Sequence, residues 1–256
     1  GAVIQAKNKG VGLMDNLYSA MNRAGIDITY QSKMLSFLQD DKSSVVGVKV
    51  RTPSGVEDVR ASAVVLASGG FEANAEMRAR YLGPGWDQVK VRGSRFNTGE
   101  TLRMALEIGA NPVGHWQGCH ATPVDGDSAP MGQLELTDLT NRLSYPYSIM
   151  VNDLGKRFMD EGEDLGGYTY AKTGANVLGQ PGARAYQIFD SKTIELIEKR
   201  YSTGTPIVGN TISEVAVKAG LPADELMETI SEFNLATQDG LFDPSKKDGL
   251  RTDGLH

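Results

Sequence analysis

The sequence predicts an α/β unit followed by an α+β unit, and three observations carry that expectation. An amphipathic stretch leads into short segments rich in β-branched residues with period-2 alternation. A continuous apolar run, Ala63-Val64-Val65-Leu66-Ala67, follows them and reads as a strand buried on both faces. From about Gly114 to Gly182 the chain turns rich in Gly, Pro, Asn and Asp, and short helical patterns follow.

The elements can be justified in order. Leu13, Leu17, Met21 and Ala24 recur at helical spacing, and Gly25 stands where a helix end favours glycine. Strands are expected at Ile26 to Tyr30, Met34 to Leu38 and Val45 to Arg51, and Thr52-Pro53-Ser54-Gly55 turns the chain into a returning strand, Val56 to Arg60. Thr98 to Ile108 reads as a helix closed by Gly109, and Tyr147 to Val151 as a strand entering a turn at Asn152-Asp153-Leu154-Gly155. Arg184 to Phe189 reads as a strand, and Ser191 to Tyr201 as a helix capped by Asp190 or Ser191. Thr211 and Glu214 form a capping box ahead of Val215 and Ala219. A last helix starts at Pro222 and buries Leu226, Ile230 and Phe233. Asp239 to His256 is polar and aperiodic and reads as a connection.

Composition narrows the function. With 256 residues and 40% apolar content the chain can bury a core, and a net charge of −6 with interspersed signs argues against nucleic acid as a partner. The apolar stretches fall far short of the roughly 20 residues of a membrane helix, and no signal-peptide pattern opens the chain, so an integral membrane segment is not expected. A lone cysteine, Cys119, suits a reducing compartment, and the expected localisation is cytoplasmic.

Some motifs have chemical potential. Ala67-Ser68-Gly69-Gly70-Phe71 follows the apolar run, and paired glycines there either let a ligand approach the backbone or simply make a tight turn. No dinucleotide fingerprint is complete: Gly10-Val11-Gly12 is the near miss, with Asp15 where the third glycine belongs. His115 and His120 flank Trp116 and Cys119, a poor zinc set and a weak nucleophile signal, although a histidine there could donate a hydrogen bond to an anion. Arg142, Arg157 and Arg184 could each grip a carboxylate through the guanidinium fork, or sit on solvated faces. Spacing does not divide Tyr145, Tyr147, Tyr168 and Tyr170 between core and site.

Taken in series, Ala67 to Phe71 with Asn74, Asn97-Thr98-Gly99-Glu100, His120, and Val151-Asn152 through Arg157-Phe158 resemble the flavoprotein family of fumarate reductases and succinate dehydrogenases. Tyr145-Pro146-Tyr147, Asp160-Glu161-Gly162-Glu163-Asp164 and Tyr168-Thr169-Tyr170-Ala171-Lys172 look most like its tricarballylate dehydrogenase branch. The resemblance implies a Rossmann-like FAD-binding domain interrupted by a capping domain, with a small di- or tricarboxylate held between cap and flavin. It places part of the FAD-binding domain at residues 1–111 and the α+β capping or substrate domain at 112–256. Family segments on both sides of this stretch are not matched, so the chain is expected to be an internal piece that binds FAD poorly alone.

The resemblance also implies residue roles. Ser68, Gly69 and Gly70 would lie against FAD, Met34 would meet the adenine through its backbone, and Thr98, Gly99 and Glu100 would sit near the flavin. His120 would bind substrate. The family's arginine that moves a proton opposite the flavin is missing, with Leu165-Gly166-Gly167 in its place, so either a neighbour such as Arg142 stands in or the reaction differs from the family's usual one. The electron partner is unidentified. Two alternatives remain: a flavin enzyme for a ketosteroid or amino acid, or an anion-binding cap without catalysis.

Overall fold

In the computed structural model, which describes residues 4–237, helix α1 (Lys9–Arg23) ends as its spacing predicts, with Gly25 just beyond it in the left-handed region at φ 67°. It belongs to a unit that runs to Ala67 and adds Thr101–Ala110. Strands β1 (Lys33–Gln39), β2 (Val45–Thr52) and β3 (Gly55–Arg60) follow as an antiparallel meander in which Phe37 faces Val48 and Val48 faces Val59. Pro53-Ser54 closes the β2–β3 hairpin, with Thr52 paired to Gly55.

Two strand expectations fail in this unit. Ile26 to Tyr30 is unpaired, and Ala63 to Ala67 is neither paired nor buried, with Val65 88% exposed. A run of branched apolar residues favours extended backbone, but a strand also needs a neighbour to complete its ladder, and none of the described strands pairs with either segment.

The second unit takes in Ser68–Glu100 and resumes at Asn111. Helices α2 (Ala75–Leu82), α3 (Glu100–Glu107, which crosses into the first unit) and α4 (Gly166–Leu178) are followed by α5 (Ile212–Ala219) and α6 (Ala223–Ala236). Strands β4 (Ile149–Val151) and β5 (Tyr186–Ile188) pair antiparallel, and their ribbon separates two cores. Ile149, Val151, Tyr186 and Ile188 pack with Ala216, Leu221, Leu226 and Ile230, whereas Met150, on the opposite face, packs with Tyr145 and Met159. Alternation along a strand produces that division directly.

The α5–α6 hairpin is where local signals and structure agree best. Thr211 accepts the Glu214 amide at 3.1 Å, Gly220 takes φ 70°, and Pro222 is the N-cap of α6. Elsewhere the elements are shorter or different. The Thr98 helix starts at Glu100, because Gly99 has φ 71° and is not helical. Tyr145–Tyr147 is a 3-10 turn, leaving the strand only Ile149–Val151, and Arg184–Phe189 contracts to β5.

Ser191 to Tyr201 is not an α-helix but two 3-10 turns, Ile194–Leu196 and Lys199–Thr203. Asp190 does cap the start, accepting from the amides of Lys192 and Thr193 at 2.9 and 3.0 Å. Tertiary bonds then interrupt the helix: Glu198 is extended, and its amide donates to Ser144 Oγ at 3.0 Å. Conversely, α4 arises inside the stretch that composition marked as loop, and α2 had no periodic signal to announce it. Asp239 to His256 lies outside the described residues.

Candidate functional site

The glycine turn and the Thr98 segment are tied into one structure by three links. The Ala73 amide donates to Asn97 O at 2.9 Å, Asn97 Nδ2 donates to Glu72 Oε1, and Asn74 Nδ2 donates to Thr98 O at 2.9 Å. Asn74 also caps α2, its Oδ1 accepting from the Met77 amide at 3.1 Å. One residue therefore starts a helix and holds a neighbouring loop. Underneath, buried Arg78 donates to Glu72 O, Trp86 O and Asp87 O at 2.5, 2.7 and 2.8 Å, satisfying backbone carbonyls that a loop leaves over.

Gly69 needs to be glycine. Its φ is 83°, and a Cβ there would lie 2.8 Å from Asn97 Oδ1. The turn is nevertheless open on its other side, with Ser68 and Gly69 exposed and Gly70 half-buried. This is an exposed backbone supported from behind by Asn97 and Glu72, and a flat, polar cofactor could lie against it; the residues fit one edge of a dinucleotide cradle. Thr98 and Glu100 are half-buried beside it, and Gly99 is buried against Met77 and Phe71. Met34 sits in β1, in register with Val50 of β2.

The His115–His120 loop is joined to the same region by aromatic packing. Trp116 stacks on Phe71 at 6.0 Å between ring centroids and meets Tyr81 at 4.8 Å. Cys119 is exposed at its surface, yet partial burial of the sulfur and the Glu72 carboxylate push its thiol up, away from the thiolate form a nucleophile needs. His120 is exposed, and its ring meets that of Tyr170 edge-on at 4.9 Å.

The three arginines read as possible clamps each hold a carboxylate of this chain. Arg157 places Nε and an Nη on Glu161 Oε2 at 2.8 and 2.6 Å, deep enough that burial pushes the Glu161 carboxyl up despite the guanidinium. Arg184 holds Asp153 at 2.7 Å on the surface. Arg142 pairs with Asp125 at 2.6 Å and donates to Leu139 O, Asn141 O, Arg200 O and Thr203 Oγ1, with its guanidinium 5.1 Å from the Tyr201 ring centre. Its fork thus braces the loop after His120 against the 200–203 turn.

The tyrosines divide clearly. Tyr145 is fully buried and bonded to Thr169, Tyr147 and Tyr168 are exposed, and Tyr170 is half-buried. Glu72 and Gly174, not singled out from the sequence, prove to shape the region together with Asn97. The Asn97-Thr98-Gly99-Glu100 run was the advance signal for Asn97, and nothing in the sequence marked the other two. Among the described residues no group of acidic, histidine and cysteine side chains could hold a metal, and no helix is long and apolar enough to cross a membrane.

Residues 3–250 match the FAD binding domain family. The chain is 30% identical over 233 residues to the "Probable fumarate reductase" of Shewanella frigidimarina, covering 89% of this chain and 37% of that one. It is 29% identical over 258 residues to the 3-oxosteroid 1-dehydrogenase of Mycobacterium tuberculosis, covering 91% and 44%. Among solved structures it superposes on the open conformation of a flavocytochrome c3 fumarate reductase with a TM-score of 0.65 at 28% identity, covering 90% of this chain and 39% of that one. The chain spans 23 to 41% of the length of the first three curated relatives it matches.

Proposed function

Because the chain belongs to the flavoprotein family of fumarate reductases and succinate dehydrogenases, we propose that it forms part of an FAD-dependent oxidoreductase acting on a small di- or tricarboxylate such as tricarballylate, fumarate or succinate. The observation that carries this reading is the Gly69–Gly70 turn, whose backbone is open on one side and backed by Asn97 and Glu72 on the other. Ser68, Gly69 and Gly70 would hold the cofactor's edge, Thr98, Gly99 and Glu100 would serve its flavin end, and Met34 would offer its backbone to the adenine. Residues 1–111 supply part of the FAD-binding domain and 112–256 the α+β capping domain over the substrate.

When bound, flavin supplies two-electron chemistry, accepting or giving a hydride at a substrate carbon. The protein's share is placement. The exposed His120 imidazole donates a hydrogen bond to a substrate carboxylate, and held carboxylates fix the carbon that reacts. Arg142 acts through Asp125 and its carbonyl partners, keeping the loop after His120 in place. The second proton, on the carbon next to the one exchanging hydride, is moved by a protein group other than Gly166 or Gly167, which have no side chain to carry it.

One observation favours a second reading, a cyclic ketone or ketosteroid substrate: Leu165-Gly166-Gly167 brings no cation to the head of α4, and Tyr168, the next residue, is 75% exposed. A phenol can donate a hydrogen bond to a ketone oxygen, which needs no cationic partner. The test uses protein made from the complete reading frame and purified without added flavin. Visible flavin bands that are bleached anaerobically by succinate or tricarballylate, or restored by fumarate after reduction, are the expected result. Bleaching by a 3-ketosteroid alone selects the second reading, and a folded colourless protein overturns both.

A further inference from the structure

The environment of His120 shows a feature that neither the cofactor nor the core requires. Ala121 exchanges two backbone hydrogen bonds with helix α4: its amide donates to Ala171 O at 2.7 Å, and its carbonyl accepts from the Gly174 amide at 3.0 Å. A helix seldom lends backbone groups to a neighbouring segment, because side chains normally hold that segment at a distance. Here there is no side chain, and a Cβ on Gly174 would lie 2.7 Å from both Ala121 C and Thr122 O. Those are backbone atoms, so the contact has no flexible end to swing aside.

The helix is anchored from behind. Thr169, buried, bonds to the Tyr145 hydroxyl, and buried Thr173 donates to Thr169 O at 3.0 Å. Tyr170, on the same turn, packs against the core of Tyr145, Met150 and Met159 and presents its ring to His120 at 4.9 Å with an interplanar angle of 76°. Aromatic pairs in that edge-on arrangement favour one mutual orientation. The backbone on the C-terminal side of His120 and the face of its imidazole are thus both set by α4.

We propose that α4 is the positioning element of His120, with Gly174 setting the backbone beside it and Tyr170 setting its ring. The inference rests on the reading of His120 as a substrate-binding residue. Neither Gly174 nor Tyr170 touches substrate in this account; both act through the histidine.

The test uses full-length, flavin-loaded protein and two readouts: turnover with the acid that bleaches the flavin, and equilibrium binding of malonate, a dicarboxylate that cannot be desaturated. Tyr170→Leu is expected to raise KM and the malonate Kd about three- to tenfold, with kcat changing less, and Tyr170→Phe to recover the loss because it keeps the ring. Gly174→Ala is expected to weaken both by up to about a hundredfold while the flavin spectrum stays unchanged. The double variant His120→Ala with Tyr170→Leu is expected to bind malonate no more weakly than His120→Ala alone. Should Gly174→Ala fail to fold, the Tyr170 series and this cycle decide. Independent, multiplying effects of the His120 and Tyr170 changes would overturn the positioning role while leaving His120 in the site. Wild-type malonate binding and turnover in His120→Ala would overturn the assignment of His120 itself, and the inference with it.

Discussion

Ala121 and Gly174 lie in backbone contact: the Gly174 amide donates to the Ala121 carbonyl at 3.0 Å, and no side chain fits between Ala121 and the helix. Overpacking of this kind costs about 1–3 kcal/mol in a well-packed interior. Gly174→Ala should therefore lower the unfolding free energy by about that amount, visible as a shift in denaturation midpoint at unchanged slope. An unshifted midpoint would mean the approach relaxes without cost.

Gly69 tests the proposed cofactor turn in a different way. With φ at 83°, alanine there must bear about 1–2 kcal/mol of left-handed strain and also displace the Asn97 side chain. Gly69→Ala should reduce the flavin retained by purified full-length protein, measured as the ratio of visible to ultraviolet absorbance. Adding Asn97→Ala should recover only part of it, since the backbone strain remains.

The Arg142–Asp125 pair has side-chain exposures of only 12% and 13%. Removing one member leaves the other charge nearly buried, a loss of about 3–5 kcal/mol. Asp125→Asn and Arg142→Met should each destabilise strongly, and the double variant should cost less than the two singles combined. An unchanged thermal midpoint in both single variants would overturn this bracing role for the pair.

Tyr201 supplies a pH-dependent prediction. Burial pushes its phenol up from 10 to about 12, and its hydroxyl accepts the Ser144 amide at 2.9 Å while donating to Gln187 Oε1 at 2.5 Å. A raised folded-state pKa means that its stabilisation is complete below pH 10 and disappears as pH rises towards 12. Chemical denaturation across that window should show the decline, and Tyr201→Phe should flatten it. The same variant should cost about 1–3 kcal/mol at neutral pH by leaving the buried Ser144 amide without its acceptor.

Much of the local structure was legible in the chain. The Thr211 cap of α5, the Pro53-Ser54 hairpin, the end of α1 before Gly25 and the Leu226 and Ile230 face of α6 all depend on residues a few positions apart, and short-range geometry decides them, although Glu214 turns to the Asn210 amide and Phe233 is only half-buried. The glycine pair could be seen as a place of close backbone approach, though not what would stand behind it. Ile26 to Tyr30 and Ala63 to Ala67 show the limit: branched apolar residues promise a strand, but pairing is a property of two segments and cannot be read from one.

By itself, then, the sequence determined the family, through an ordered series of motifs, together with the caps, turns and periodicities that nearby residues settle. Only the tertiary structure decided what each polar group faces. Arg142 finds partners 17, 58 and 61 positions away, in Asp125, Arg200 and Thr203. Asn97 turns under Gly69, α4 forms where composition promised only loop, and Gly174 lets that helix approach Ala121. Local propensity acts over a turn or two of chain, whereas the direction of a buried fork or a bare helix face is chosen by whichever distant group satisfies its hydrogen bonds and fills its space.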